Sequence, residues 1–245
     1  ARVIIGIEDP DAQVAGTGIA ALRDAGIEVE VGVEAEAIRE QLAPYITHRT
    51  TGRPHVILKL AQTLDGHIAA PDGTSQWITG AEARADVHRL RAESDAIIVG
   101  AGTIRADNPS LTVRAFTPAI HDDETPVLDP WRIVLGDVAL DARSTPHESW
   151  KGDLGDLLDE LGSRDMVQVL IEGGAQTAGS FHRANLVDEY WIYVAPTIMG
   201  GDDAKSAFAG EGAATMADLH RGEFVSVTKL GADVRLVMRH LDASE

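Results

Sequence analysis

KLAQTLDGHIAAPDGTSQWITG (residues 59–80), a helix-like stretch, and then AIIVGAGTIRADNPSLTVR (residues 96–114) form one continuous segment from Lys59 to Arg114. It places a lysine, two aspartates, a tryptophan, a Gly-x-Gly-Thr turn and an arginine around the ends of expected strands. Ligands of open α/β sheets sit at strand ends. A second glycine-rich turn, IEGGAQTAGSF (residues 171–181), follows another apolar strand. Two such turns with a few fixed charges suit an anionic cofactor and an anionic substrate.

Working outward, HVILKLAQTL (residues 55–64) is an apolar run of the kind a buried strand shows. TGAE (residues 79–82) reads as a capping box, with Thr79 as N-cap and Glu82 three residues on, opening a helix over about 81–93. DAIIVG is a strand, and residues 103–106 a short turn or helix. WRIVLG, MVQVLIE and EYWIYVAP read as three more buried strands, the last a candidate interface around Tyr190 to Val194. EFVSVTKLGADVRLVMRHL reads as a β-hairpin turning through Leu230-Gly231-Ala232-Asp233. Residues 115–130, rich in Pro and Asp, read as an exposed loop. The expected fold is therefore α/β, a mixed sheet covered by helices.

Ahead of this block, RVIIGI and IEVEVGV read as strands, with helices over 17–25 and 34–43, the second ending near Pro44. This β-α-β-α piece is too small to stand as a domain. THRTTGRP (residues 47–54) is polar, with Gly and Pro, and reads as a junction. The expected division is 1–50 and 51–245. The first residue is Ala rather than Met, as expected of a fragment or a processed product.

Composition narrows the function classes. The chain of 245 residues has no cysteine, which excludes disulfides, thiolate zinc sites and cysteine nucleophiles. A net charge of −18 opposes binding to a nucleic-acid backbone, which needs clustered cations. Yet residues 51–114 hold seven Lys/Arg and seven Asp/Glu, a neutral island in an acidic chain where an anionic ligand is best received. No apolar run approaches the roughly 18 residues of a membrane helix, and no signal-peptide pattern opens the chain. No partner in nucleic acid or membrane is expected, and the expected location is the cytoplasm. The histidines show no metal-ligand spacing, and no metal is expected.

Locally each motif has a bland alternative. GAGTIRADNP lacks the third glycine of the dinucleotide fingerprint and is either a tight βα turn or a phosphate cradle. The second turn leaves the same two alternatives, with Gln176, Thr177 and Ser180 as possible hydrogen-bonding groups. Lys59, inside an apolar strand, is either paired or facing a cleft, or else reaches along the strand edge to water. Trp77 either stacks on a flat ring or covers the core. Asp65-Gly66 reads as a structural turn.

Taken together, LKLAQTLDGHIA, SQWITG, HRLRAESDAIIVGAGTIRADNPSLTVR, LIEGGAQTAGSF and DEYWIYVAPTIMGG resemble the reductase domain of the bifunctional riboflavin-biosynthesis deaminase/reductase family, over about residues 54–241. The resemblance implies a dihydrofolate-reductase-like fold: a mixed, largely parallel sheet flanked by helices, with a C-terminal hairpin. It implies NADPH-dependent reduction of the ribosyl group of 5-amino-6-(5-phosphoribosylamino)uracil to a ribityl group, with hydride going to C1′, and a homodimer. By motif, Ala61, Trp77, Gly102, Thr103, Asp107 and the turn Gly174, Ala175, Gln176, Thr177, Ala178, Gly179, Ser180 match cofactor contacts. Lys59, Ser75, Arg91, Leu111, Arg114 and Glu172 match contacts to the phosphorylated pyrimidine substrate. Arg91 and Arg114 suit its 5′-phosphate and Glu172 a sugar hydroxyl; Lys59 and Asp107 are the catalytic candidates. Residues 2–50 resemble the end of the family's deaminase domain, without its zinc motif, so no deamination is expected. Two other readings stay open: a pterin reductase of the same fold, which needs no paired arginines, and a non-catalytic nucleotide-binding domain.

Overall fold

The computed structural model describes residues 1–114, 116, 127–139 and 141–240. Most of the loop expected over 115–130 lies outside them. The chain divides into two compact units, Ala1–His55 with Leu158–Val167, and Val56–Leu157 with Gln168–Glu245.

In the first unit, β1 (Arg2–Ile5) pairs in parallel with β2 (Glu28–Val31), joined through α1 (Thr17–Asp24). Helices α2 (Ala35–Gln41) and α3 (Ala43–Thr51) follow. Of the expected junction over 47–54, residues 47–51 lie in α3. Pro44 sits in the first turn of α3, where its missing N–H has no cost, and Gly52, at φ 75°, ends it. The threonines that argue for a loop return their hydroxyls to the preceding turn, Thr50 to Ile46 O and Thr51 to Thr47 O, each at 2.7 Å. His48 is buried, with Nε2 3.1 Å from Gly162 O. A Cβ on Gly162 would fall 1.9 Å from Gly52 O, so the helix end is fitted against a glycine.

The second unit is built on an eight-stranded sheet. Its strands are β3 (His55–Thr63), β5 (Ala96–Gly100), β6 (Trp131–Leu135), β7 (Glu148–Trp150), β8 (Gln168–Ile171), β9 (Glu189–Ala195), β11 (Gly222–Leu230) and β12 (Asp233–His240). Strands β4 (His67–Ala69) and β10 (Lys205–Ser206) form a separate antiparallel pair. The order β11-β12-β9-β3-β8-β5-β6-β7 puts β3, β8 and β5 in the middle. β5 pairs in parallel with β8 and β6, and β3 in parallel with β9; β12 and β11 are antiparallel, the expected hairpin. The central strands are buried on both faces and therefore read as unbroken apolar runs. Ile57, Ile97, Val99, Val134 and Leu170 share a core with Leu90, Ile104 and Leu111. Helices α4 (Ala81–Ala92), α5 (Ala101–Asp107) and α7 (Ala175–Arg183) follow β4, β5 and β8, and α6 (Leu154–Ser163) precedes β8.

One expectation is corrected here, and several elements are new. Helix α4 has no Thr79 capping box: Gly80 is its N-cap, and the Gly80 amide donates to Asp233 Oδ2 at 2.7 Å. The candidate interface around Tyr190 to Val194 lies in β9, between β12 and β3, with Tyr190 and Tyr193 buried and Trp191, Ile192 and Val194 partly exposed. Helix α6 and strands β4, β7 and β10 are unforeseen, although Leu154, Leu157, Leu158 and Leu161 carry helical spacing. Asp65 is structural as expected; it accepts from Thr63 Oγ1 and from the amides of Met199 and Gly200, and these bonds hold its carboxyl well below the usual range. Among the described residues, no helix is long and apolar enough to cross a membrane.

Candidate active site

A cleft of about 800 Å³ opens where β3, β5 and β8 hand over to their following turns. Two glycine turns make one wall, and they are fitted to each other. Thr103 Oγ1 donates to Gly173 O and accepts from the Gly174 amide, both at 3.1 Å. A Cβ on Gly174 would approach Thr103 Oγ1 to 2.9 Å, and one on Gly100 would approach Thr177 Oγ1 to 2.6 Å. Glycine is required at both because the two turns meet there. A Cβ on Gly102, by contrast, would meet nothing within 4 Å. Helix α7 begins at Gly174 without a side-chain cap, so its first amides are left unpaired beside cleft-lining Ala175 and Gln176.

The opposite wall is one face of α4: Arg84, Val87, His88 and Arg91 recur at helical spacing and all line the cleft. Arg91 is nearly buried and grips Glu172 with two parallel hydrogen bonds, Nε to Oε1 at 2.5 Å and Nη2 to Oε2 at 2.8 Å. Its Nη1 donates to Thr112 O at 3.0 Å. Burial pushes the Glu172 carboxyl up, but the Arg91 guanidinium outweighs it and holds the group at about 2. Glu172 follows the last residue of β8 and is fixed in register by its amide, which donates to Ile98 O on β5 at 3.0 Å.

Lys59 stands in β3 between buried Leu58 and Leu60, half-buried, with Nζ 5.8 Å from the Tyr193 ring centre. Burial pulls its ammonium below the ordinary lysine value; Glu172 works against that shift and Arg91 with it. Ser75 Oγ donates to Asp107 Oδ1 at 3.0 Å, which ties the 59–80 stretch to the end of α5. Trp77 is 70% exposed, and the Arg84 guanidinium lies 4.7 Å from its ring centre, so Trp77 is no part of the core.

All but three of the residues expected at the site line this cleft. The exceptions are Ala178, Gly179 and Ser180, further along α7 and outside the lining. Ala178 is fully buried, and a Cβ on Gly179 would strike Ala209 O at 2.1 Å, so its smallness serves packing. The two arginines expected at the phosphate have different surroundings. Arg91 donates three hydrogen bonds to Glu172 and Thr112, whereas Arg114 is exposed and, among the described residues, its guanidinium donates to Ser110 Oγ at 3.2 Å. Sequence reading missed Arg84, His88 and Lys205. The spacing Arg84-His88-Arg91 could have revealed the first two; nothing marks Lys205, which reaches the cleft on β10 beside β4.

A largely parallel sheet flanked by helices, with a C-terminal hairpin and a cleft at the carboxyl ends of its central strands, defines a reductase of the dihydrofolate-reductase-like class. The chain belongs to the RibD C-terminal domain family, whose model matches residues 54–236. The riboflavin biosynthesis protein RibD of Bacillus amyloliquefaciens is 35% identical over 262 residues, covering 96% of this chain and 70% of the relative. Among solved structures, Acinetobacter baumannii RibD superposes with a TM-score of 0.87 at 34% identity, covering 98% of this chain and 73% of that one. A diaminohydroxyphosphoribosylaminopyrimidine deaminase/5-amino-6-(5-phosphoribosylamino)uracil reductase from Thermotoga maritima superposes with a TM-score of 0.82 at 30% identity, covering 98% and 71%. The chain is an oxidoreductase of riboflavin biosynthesis, and a reductase of this family implies a nicotinamide cofactor.

Proposed function

We propose that this chain reduces 5-amino-6-(5-phosphoribosylamino)uracil to its ribityl product with NADPH. The observation that carries this reading is the cleft itself, lined by two interlocked glycine turns, an ionised, arginine-held glutamate and a half-buried lysine. The residues present fit the cofactor. Gly102 leaves open space, and helix α7 begins without a side-chain cap. Gly102, Thr103, Asp107 and the turn Gly174 to Thr177 would hold it, with exposed Trp77 offering a flat face. When bound, the nicotinamide supplies a hydride to C1′ of the sugar in its open-chain imine form.

The chain's own residues orient the substrate and manage one proton. Glu172, kept ionised by Arg91, accepts a hydrogen bond from a sugar hydroxyl. Exposed Arg114 takes the 5′-phosphate. Lys59 Nζ, its proton loosened by burial, delivers that proton to the nitrogen attached to C1′ as the carbon is reduced. Asp107, bonded to Ser75, orients the boundary between cofactor and substrate.

Residues 1–50 are proposed to be the end of a deaminase domain, and the enzyme to be a cytoplasmic homodimer. Edge strand β11, which exposes Phe224 and Val227, supports association. The test of the function is NADPH oxidation by the purified chain with freshly deaminated substrate. Substrate-dependent oxidation with the ribityl product is expected. NADPH binding without oxidation would overturn the substrate, and absence of binding would overturn the cofactor.

A further inference from the structure

Arg114 belongs to residues 110–114, a stretch without regular secondary structure, yet its position is closely specified. Leu111 is buried at φ 55° and anchors the stretch in the core. Three hydrogen bonds then fix successive residues: Arg91 Nη1 to Thr112 O at 3.0 Å, the Val113 amide to Asp129 Oδ1 at 2.8 Å, and the Arg114 amide to His88 Nδ1 at 3.1 Å. Two of these come from the cleft-facing side of α4. His88 and Arg91, one turn apart, therefore hold alternate residues of the stretch that presents Arg114.

We propose that His88 is a positioning residue of the substrate-phosphate subsite: its neutral imidazole accepts the Arg114 amide and thereby aims the Arg114 guanidinium at the phosphate. The proposal rests on the reductase reading above. An amide N–H points at Nδ1, so Nδ1 must carry a lone pair, and the ring proton belongs on Nε2. A proton on Nδ1 would set donor against donor and release residue 114. The charged groups facing the ring are Arg91 from its own helix, Arg114 from the stretch it holds, and Glu172 from the end of β8. Burial and the two arginines together favour the neutral ring against Glu172 and the Thr112 backbone, which favour the charged one.

The test is steady-state kinetics with NADPH, using the phosphorylated substrate and the same compound with a free 5′-hydroxyl. Losing one hydrogen bond should raise KM for the phosphorylated substrate about 3- to 10-fold in His88→Ala, with kcat and NADPH affinity little changed. His88→Asn places an oxygen where Nδ1 stands and should restore KM. Its KM should also rise less than the wild type's on going to about pH 5.5, since asparagine cannot take up a proton. KM for the free-hydroxyl compound should be the same in all three proteins. In an Arg114→Ala background, His88→Ala should add nothing. An unchanged KM in His88→Ala, an equal effect on the free-hydroxyl compound, or full additivity with Arg114→Ala would overturn the proposal. Should His88→Ala fail to bind NADPH, His88→Asn decides alone: a raised KM at neutral pH overturns the proposal and a wild-type KM upholds it. A wild-type enzyme that turns over normally while these variants break the pattern refutes only the role of His88. A wild-type enzyme that does not oxidise NADPH overturns the reductase reading and this proposal with it.

Discussion

The Arg91 guanidinium and the Glu172 carboxylate meet as two planar forks, with both side chains about 10% exposed. One comes from α4 and the other from the end of β8, so the pair joins the helical wall of the cleft to its floor. A buried pair of this kind is poor evidence for net stabilisation, but removing one partner leaves the other charge uncompensated. Arg91→Ala should therefore destabilise the protein by roughly 3–5 kcal/mol in urea unfolding at neutral pH, more than Glu172→Gln does. A smaller loss in Arg91→Ala than in Glu172→Gln would show that the arginine does not neutralise Glu172.

The same pair sets an acid limit. The folded value of Glu172, about 2, lies below its ordinary 4.5, so the stabilisation is fully present above that ordinary value. It is lost as pH falls between the two. Wild-type stability should drop over this window, and Glu172→Gln should lack that part of the drop. Parallel pH profiles for the two proteins would assign the acid lability to other carboxyls.

Lys59 should matter to the chemical step rather than to binding of the cofactor. Replacing it with methionine keeps the length of the chain and removes the proton. The expected loss in kcat is about 10²- to 10⁴-fold, the range of general acid catalysis, with NADPH affinity preserved. Because burial lowers the lysine value, wild-type kcat should fall as pH rises through a point below 10.5. A Lys59→Met enzyme within a few-fold of wild type would remove this side chain from the reaction.

The contact between Gly100 and Thr177 predicts a repairable defect. Gly100 has φ −78°, which alanine adopts freely, so the only obstacle to Gly100→Ala is a Cβ 2.6 Å from Thr177 Oγ1. Overpacking at this junction should cost about 1–3 kcal/mol and weaken NADPH binding by misaligning the two turns. Thr177→Ala removes the obstructing hydroxyl, and the double variant should regain stability. If the double variant is no better than Gly100→Ala, the defect is not this clash.

What could be read from the sequence follows the range of the interactions. The central strands announce themselves because burial on both faces leaves only apolar residues, and the glycine turns because close backbone contact excludes side chains. Residues 59–114 carry most of the site for the same reason: a strand, a turn and a helix are fixed within one stretch. The Arg91–Glu172 pair spans 81 positions and was hidden by treating each residue alone; Arg91 looked like a solvated helix arginine or a phosphate ligand. The threonines of α3 look like a loop because their local preference is overridden by burial of His48 against Gly162. Gly179 lies against the Ala209 carbonyl, and a glycine fitted against a neighbouring backbone is indistinguishable, in sequence, from one fitted to a phosphate.

The start of α4 separates local from distant capping. TGAE satisfies the local rule, yet Thr79 and Glu82 form no box, and the Gly80 amide is taken by Asp233, 153 positions away at the turn of the C-terminal hairpin. Asp233 is 2% exposed, and its carboxylate crowds the space above Gly80, where a Cβ would lie 3.3 Å from Oδ2. The hairpin thus fastens the helix that carries Arg84, His88 and Arg91. Asp233→Ala should remove a charge-assisted hydrogen bond from the Gly80 amide and cost about 1–3 kcal/mol, whereas Thr79→Ala should cost under ~0.5 kcal/mol. Amide exchange in the first turn of α4 should quicken in Asp233→Ala alone. The reverse order, with Thr79→Ala the more damaging, would restore the local capping box and leave the hairpin without a hold on the helix.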